Sequence, residues 1–133
     1  MIERSEKIHR LLAQGMKRAL KEGGEFSEII GRMTLLKGDA KDLLTELKGE
    51  AILIDPMHPP RNNSALVKRE LRQVREIVGT DDDAADLVRV ALKHAGNRVV
   101  LKWPAKADPM PGIQACSHQI TGKSTRYDVF MLV

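Results

Sequence analysis

The sequence predicts an α/β fold with a mostly parallel sheet that ends in a C-terminal antiparallel hairpin. Helical and strand-like segments alternate along most of the chain, which favours parallel strands joined by helices. The continuous apolar run Ala51–Ile54 is followed at once by Asp-Pro, a pattern typical of a central parallel strand buried on both faces. Two short β-prone segments, Gln119–Thr121 and Tyr127–Leu132, close the chain around a polar turn and predict the hairpin.

The helices are predicted from apolar spacing and from residues that begin or end a helix. Ser5–Lys21 has a capping serine and a single apolar stripe, and Gly23-Gly24 ends it. The other predicted helical segments are a short turn at Phe26–Ile30 and helices at Ala40–Leu47, Ser64–Val78 and Thr80–His94, the last ended by Gly96. The remaining strands are predicted at Met33–Lys37 and Arg98–Trp103, and Ala105–Ser117 is predicted to be a loop.

Composition limits the class of protein. With 133 residues, 42% of them hydrophobic and 30% charged, the chain predicts a single globular domain. No apolar run is long enough to span a bilayer, and the start of the chain does not resemble a secretory signal. The single cysteine, Cys116, cannot form an internal disulfide, so we expect a cytoplasmic protein. The net charge of +4 is only weak support for a polyanionic partner.

Asp55-Pro56-Met57-His58 lies where the predicted buried strand opens into a loop. Ligands of open α/β sheets bind at the carboxyl ends of the strands, so this segment is a candidate site. A carboxylate there can accept the protons of an exocyclic base amine and localise its lone pair toward a methyl donor. A flat side chain nearby can stack on the extruded base. Taken alone, Asp-Pro is also an ordinary turn after a strand.

Several segments carry a resemblance to a known family. Ile54–Arg72 resembles the signature of the bacterial ribosomal RNA small subunit methyltransferase J family, an Asp-Pro-Met-Phe-Pro segment followed by a basic helix. Arg98–Pro104, Gly122–Asp128 and Met1–Arg4 are similar to further strand and hairpin segments of that family. The resemblance implies a class I, Rossmann-like methyltransferase fold. It also implies methyl transfer from S-adenosylmethionine to the N2 amine of a guanine in 16S (small-subunit) ribosomal RNA, with no metal ion.

Site residues follow from the resemblance position by position. It implies that Glu3, Arg4, Asp39, Ala40 and Asp55 bind the cofactor and that Asp55, Pro56, Met57 and His58 form the catalytic segment. His58 stands where the family usually has phenylalanine, so stacking would use an imidazole ring. Without the resemblance, Glu3 is a solvated terminal charge, and Asp39 is equally well a helix N-cap.

The resemblance also implies that part of the fold is missing. No Gly-rich loop precedes Glu3, so residues 1–133 are expected to form the C-terminal portion of a single methyltransferase domain without its N-terminal strand. In the usual strand order that strand lies between the second and fourth strands. We therefore expect Met33–Lys37 to have no sheet to join and Ala51–Ile54 to present an open apolar edge. This edge is expected to be covered by another chain, as a homo-oligomer or a second protein, or by rearranged elements.

A basic helical face is the candidate RNA-binding surface. Its basic residues recur at helical spacing in the predicted helix Ser64–Val78 and just before it: Arg61, Lys68, Arg72 and Arg75. Lys102, Lys123 and Arg126 could extend it. Two alternatives stay open at this point: a noncatalytic RNA-binding module that has lost cofactor binding, and an amino-methyltransferase with another base target, such as adenine N6 in DNA.

Overall fold

A computed structural model describes residues 1–56 and 83–132, and the predicted helix Ser64–Val78 lies outside them. The helices are α1 (Glu6–Glu22), α2 (Gly24–Gly31), α3 (Ala40–Leu43) and α4 (Ala84–His94). The strands are β1 (Ile2–Glu3), β2 (Leu36–Lys37), β3 (Gly49–Ile54), β4 (Ala95–Pro104), β5 (His118–Thr121) and β6 (Thr125–Met131).

The strands form two separate sheets. In the small sheet, β1 and β2 run parallel, with Ile2 opposite Leu36. The large sheet has the order β3-β4-β6-β5, in which β3 and β4 are parallel and the other two pairs are antiparallel. The predicted parallel pairing and the predicted C-terminal hairpin are therefore both present.

The helical predictions hold for α1 and need correction elsewhere. α1 begins after Ser5, whose hydroxyl accepts a hydrogen bond from the Ile8 N–H, and it ends before Gly23, which has a positive φ of 73°. The predicted short turn at Phe26–Ile30 is the eight-residue helix α2. The helix predicted at Ala40–Leu47 ends at Leu43, and the N–H groups of Thr45 and Glu46 bond three residues back, which tightens the chain into turns.

The strand predicted at Met33–Lys37 is shorter and does have a sheet to join. Only Leu36–Lys37 is a strand. The Leu36 N–H donates to the Met1 carbonyl at 2.9 Å, and the Gly38 N–H donates to the Glu3 carbonyl at 3.1 Å. The expectation that this segment would lack a sheet was wrong, because two residues of β1 are enough to satisfy its backbone groups.

β3 lies at an edge of the large sheet and is not buried on both faces as predicted. Ile54 is 4% exposed, but Leu53 is 66% exposed. Within the described residues β3 pairs with β4 alone, so its second edge is open, as the expected loss of a neighbouring strand implies. β4 begins at Ala95, directly after α4, and so Gly96 lies inside a strand longer than predicted.

The hydrophobic core belongs to the large sheet and α4. Val88 and Ala91 of α4 are fully buried, as is Val99 of β4, and Leu101 is almost so. Ile54, Phe130, Leu44 and Met110 complete this cluster. By contrast, α1 and α2 contain no buried residue. Across residues 1–56 and 83–132, no helix is long and apolar enough to cross a membrane.

Candidate active site

A cleft of about 700 Å³ separates the small sheet from β3. β1 and the end of β2 line one side, β3 lines the other, and α3 with the start of α4 lines the floor. Residues at or just beyond the carboxyl ends of β1, β2 and β3 stand at one end of the cleft. They include all five residues that the family resemblance assigned to the cofactor: Glu3, Arg4, Asp39, Ala40 and Asp55.

Asp83, directly before α4, ties the two sheets together at this end. The Arg4 Nη1 donates to both of its carboxylate oxygens, at 3.2 and 3.1 Å, and the Lys41 Nζ donates to Oδ2. The hydrogen bond from Lys41, helped by the charge of Arg4, lowers the pKa of Asp83. The same hydrogen bond raises the pKa of Lys41.

This cluster also fixes the relative direction of the strands. α4 packs on β4 and runs back to the residue at which β4 begins. The N-terminus of α4 therefore lies toward the carboxyl end of β4. Because Asp83 binds Arg4, which follows β1, and Lys41, which follows β2, the carboxyl ends of both sheets' parallel strands meet at one edge. Open α/β sheets bind ligands at such an edge.

Glu3 is held in place by the turn that leads into α1. Its Oε1 accepts a hydrogen bond from the Ser5 N–H at 2.7 Å, and the residue is half-buried. A carboxylate has about four acceptor positions, so this bond leaves capacity for a pair of hydroxyl donors. The solvated terminal charge expected from sequence alone does not describe this side chain.

Asp39 is the N-cap of α3. Its Oδ1 accepts from the Lys41 N–H at 2.9 Å, and its Oδ2 lies 3.7 Å from the Lys41 Nζ. The capping interpretation of the sequence is therefore correct. It is compatible with a ligand role, because Asp39 and Ala40 both line the cleft beside Glu3.

Asp55 forms an ion pair that the sequence analysis did not predict. The Lys102 Nζ donates to the Asp55 Oδ2 at 2.7 Å. Their positions follow from the register of the parallel strands: Ile54 lies opposite Leu101, so the next residue of each strand is adjacent. From the sequence, Lys102 could extend the RNA surface; alignment of the two parallel strands, with Asp55 after one apolar run and Lys102 after the other, would have indicated the pair.

The rest of the predicted catalytic segment is only partly described. Pro56 is buried and lines the cleft beside Asp55. Met57 and His58 lie outside the described residues, and so do the four residues of the predicted RNA-binding face: Arg61, Lys68, Arg72 and Arg75.

Comparison with known proteins defines the class. Residues 1–132 match the family model described as "Putative SAM-dependent methyltransferase". A crystal structure of a SAM-dependent methyltransferase from Neisseria gonorrhoeae superposes with a TM-score of 0.72 and 30% identity, covering 97% of this chain and 53% of that one. The fold is therefore the predicted class I, Rossmann-like methyltransferase fold, and the chain belongs to this family of S-adenosylmethionine-dependent methyltransferases.

Relatives of higher identity carry a more specific name, Ribosomal RNA small subunit methyltransferase J. The relative from Brucella anthropi is 65% identical over 131 residues, and the one from Agrobacterium fabrum is 61% identical over 132. A relative from Rhodopseudomonas palustris is 49% identical over 132 residues. These matches cover 98–99% of this chain but only 61–64% of the relatives. The chain thus spans less than two thirds of their length.

Proposed function

We propose that residues 1–133 form one part of a single methyltransferase domain that methylates the N2 amine of a guanine in small-subunit ribosomal RNA, using S-adenosylmethionine. One observation carries the proposal. Three carboxylates from three different strand ends, Glu3, Asp39 and Asp55, line the same cleft at the ligand-binding edge of the fold. The name of the relatives supports the RNA target, and with it a cytoplasmic place of action.

The end of the cleft at which these strand ends meet suits the proposed cofactor in chemistry. Ligand pockets combine mostly apolar walls with a few polar groups. Glu3 would accept hydrogen bonds from the ribose hydroxyls, with Arg4 beside it. Asp39 and Ala40 would contact the adenine end. When bound, S-adenosylmethionine supplies a methyl group already activated on a sulfonium, and so the protein's task is to orient the acceptor.

Asp55 would act on the acceptor amine. The lone pair of a base amine is delocalised into the ring, and a carboxylate that accepts its N–H protons draws the lone pair back onto nitrogen. Asp55 would also receive the proton that the amine gives up. Lys102 holds the carboxylate at the end of β3 through their 2.7 Å contact. Pro56, Met57 and His58 would shape the base pocket, with the His58 imidazole stacking on the base. Arg61, Lys68, Arg72 and Arg75 would contact phosphates.

Calorimetric titration with S-adenosylmethionine tests the cofactor site. We expect Glu3→Gln to weaken binding about tenfold or more, because a hydrogen bond to a charged group contributes about 1.5–3 kcal/mol. Glu46→Gln is the matched control, since Glu46 is an exposed carboxylate that does not line the cleft. Equal affinities for the two variants would contradict the assignment of Glu3.

Methyl transfer to 30S particles, mapped by mass spectrometry, tests the reaction. We expect a methyl group on a guanine N2 and none on naked DNA, and loss of about a hundredfold or more in rate for Asp55→Asn. The assay is run on the chain alone and on the chain with the remaining part of a longer relative, produced separately. RNA binding without cofactor binding under both conditions would favour the noncatalytic module. Methylation of adenine N6 in DNA would favour the other alternative.

A further inference from the structure

We infer that Lys102 selects guanine as the acceptor base by donating a hydrogen bond to its O6 atom. The inference rests on the proposed function and deepens it, because it assigns the residue that distinguishes guanine from the other amino bases. Lys102 then contacts the substrate as well as Asp55, and is a specificity-determining residue of the site.

The pair of Asp55 and Lys102 presents hydrogen-bond acceptors and donors side by side. The Lys102 Nζ donates to the Asp55 Oδ2 at 2.7 Å. Their side chains are 37% exposed for Lys102 and 55% exposed for Asp55, so a ligand can reach both. Within residues 1–56 and 83–132, neither side chain has another hydrogen-bond partner. Since a carboxylate has about four acceptor positions and an ammonium has three N–H donors, each group retains capacity for a ligand.

Lys102 lies on the side of Asp55 that is away from the cleft. Asp55 follows β3 and lines the cleft, whereas Lys102 lies in β4, the next strand of the sheet, and is not among the residues that line the cleft. The order across this edge of the sheet is therefore the cleft, the carboxylate and the ammonium. A base that turns its amine toward the proposed cofactor and contacts Asp55 extends the rest of its edge toward Lys102.

The Watson–Crick edge of guanine matches this order of groups. Its N2 amine and N1 N–H are donors and its O6 is an acceptor, so the carboxylate accepts from both nitrogens while the ammonium donates to the oxygen. Adenine with its N6 amine at the carboxylate presents an acceptor at N1 and a C–H at C2. Cytosine with its N4 amine there presents an acceptor at N3. Each of these bases leaves polar groups of the pair unmatched, and a site built for hydrogen bonds rejects a base that cannot make them.

The pair suits a neutral base edge better than a phosphate. The negative charge of Asp55, in contact with Lys102, offsets the attraction of the ammonium for a second anion. On its other side Lys102 lies opposite Tyr127 of β6, which is not a cation. O6 of guanine carries no net charge, so it accepts a hydrogen bond from Lys102 without repulsion from Asp55.

Fluorescence anisotropy with labelled RNA tests the selection on the full, unaltered chain. The probe is a short single-stranded oligouridine with one central guanine, and a second probe carries 6-thioguanine there. That base replaces O6 by sulfur, a poor acceptor, and keeps the N–H groups of N1 and N2. We expect the guanine probe to bind about fivefold or more tightly than the 6-thioguanine probe and than a third probe with adenine. Equal affinities, or no binding of the guanine probe, would overturn the inference.

Three variants show whether Lys102 causes the preference. In Lys102→Met the affinities for the guanine and 6-thioguanine probes should agree within about twofold, whereas Lys102→Arg should keep a preference because it keeps a charged donor. Lys106→Met, at an exposed position in the loop after β4, should retain the natural preference. Circular dichroism of each variant checks that it folds. A Lys102 that only orients Asp55 would weaken both probes by the same factor in Lys102→Met, and that outcome would overturn the inference.

Failure of the proposed function is distinguishable from failure of this inference. A guanine preference that disappears in Lys102→Met, without methyl transfer to 30S particles, keeps the selection by Lys102 and removes the proposed reaction. Methyl transfer to a guanine N2, with the same preference for guanine over 6-thioguanine in the natural chain and in Lys102→Met, keeps the proposed reaction and overturns the selection by Lys102.

Discussion

Asp55 and Lys102 illustrate how one contact can matter for orientation more than for stability. Their side chains are 55% and 37% exposed, and exposed ion pairs contribute about 0–1 kcal/mol to folding. Lys102 extends from within β4 and Asp55 directly follows β3, and so the pair fixes the direction of the carboxylate that we propose contacts the base amine.

Replacing Lys102 is expected to affect the reaction and spare the fold. Lys102→Met should lower methyl transfer to 30S particles about tenfold, because Asp55 loses the donor that orients it, while the free energy of unfolding changes by less than about 1 kcal/mol. Lys102→Arg should recover part of the rate, since it keeps a charged donor. Lys106→Met, at an exposed position in the loop after β4, is the control. Unchanged transfer in Lys102→Met would show that the pair has no role in orientation.

Asp83 makes stability depend on pH. Its pKa is lowered by the hydrogen bond from Lys41 and by the charge of Arg4, so its contribution is complete above the pKa of the unfolded chain, about 4. This contribution is lost as the pH falls through the lowered pKa of the folded state. The pKa of Lys41 is raised by the same bond, so its contribution is present below about pH 10.4 and is lost only as the pH rises through the raised value.

Urea unfolding from pH 7 to pH 3 tests the role of Asp83. The free energy of unfolding should fall more steeply below pH 4 for the natural chain than for Asp83→Asn, which cannot titrate there. Asp108→Asn removes an exposed carboxylate and should retain the natural slope. Parallel pH profiles for the natural chain and Asp83→Asn would exclude Asp83 as the cause.

At the scale of elements, a buried arginine of β6, Arg126, joins the C-terminal hairpin to the end of β4 and the loop after it, and its charge is paired within β6. Arg126 and Asp128 are 6% and 4% exposed, and the Arg126 Nε donates to the Asp128 Oδ1 at 2.9 Å. The Arg126 Nη1 donates to the carbonyls of Pro104, Ala105 and Ala107. From the sequence, Arg126 could have extended the RNA surface, but its burial makes it a structural residue that holds the loop at the carboxyl end of β4.

Breaking this pair should be costly. Asp128→Ala leaves the Arg126 charge buried without its counter-charge, which typically costs about 3–5 kcal/mol of unfolding free energy in urea titrations. The double change Arg126→Met, Asp128→Leu should be less destabilising than Asp128→Ala, because no charge is left buried. Asp108→Ala, at an exposed position, should stay within about 0.5 kcal/mol. A loss below 1 kcal/mol in Asp128→Ala would show that water reaches the pair.

The elements that the sequence predicted well are those with local signals. α1 has a capping serine, an apolar stripe and a closing glycine pair, and its bounds were predicted within one residue at each end. Burial of β3 on both faces was predicted wrongly, because an apolar run such as Ala51–Ile54 shows only that the strand can be buried. Whether a neighbour covers the strand depends on residues far away in the chain.

The same distinction between local signals and contacts of distant residues applies to the candidate site. Family resemblance selected Glu3, Asp39 and Asp55, and the structure brings them to one cleft. Their partners were not predictable from local pattern. Lys102 reaches Asp55 across 47 residues, and Arg4 reaches Asp83 across 79. Contacts of this kind depend on strand register and on the docking of α4.

At the scale of the whole molecule, the chain consists of a well-packed part and a sparsely packed part. The buried cluster lies between α4 and the large sheet, with α3 contributing Leu44 at its end, whereas α1, α2, β1 and β2 contain no buried residue. Regions with few buried apolar contacts open at lower free energy than the core. We therefore expect two levels of hydrogen-exchange protection in the chain alone.

Gly15→Ala tests whether the sparsely packed part opens by itself. Gly15 lies within α1, with open space where a Cβ would stand, and alanine favours a helix by about 0.5–1 kcal/mol over glycine. If α1 opens separately, the opening free energy measured from the exchange of its amides should rise by roughly that amount. The exchange rates of the amides in β4 and β6 should stay unchanged. An equal change in both parts would show that the chain opens as one unit.

The cleft between the two sheets has a consequence for cooperativity. A ligand that contacts both walls binds only when both parts are folded, and so it couples two openings into one. By mass action, each tenfold rise in the free concentration of the proposed cofactor above its dissociation constant would add about 1.4 kcal/mol to the folded state. The melting temperature of the chain would then report how much free S-adenosylmethionine surrounds it.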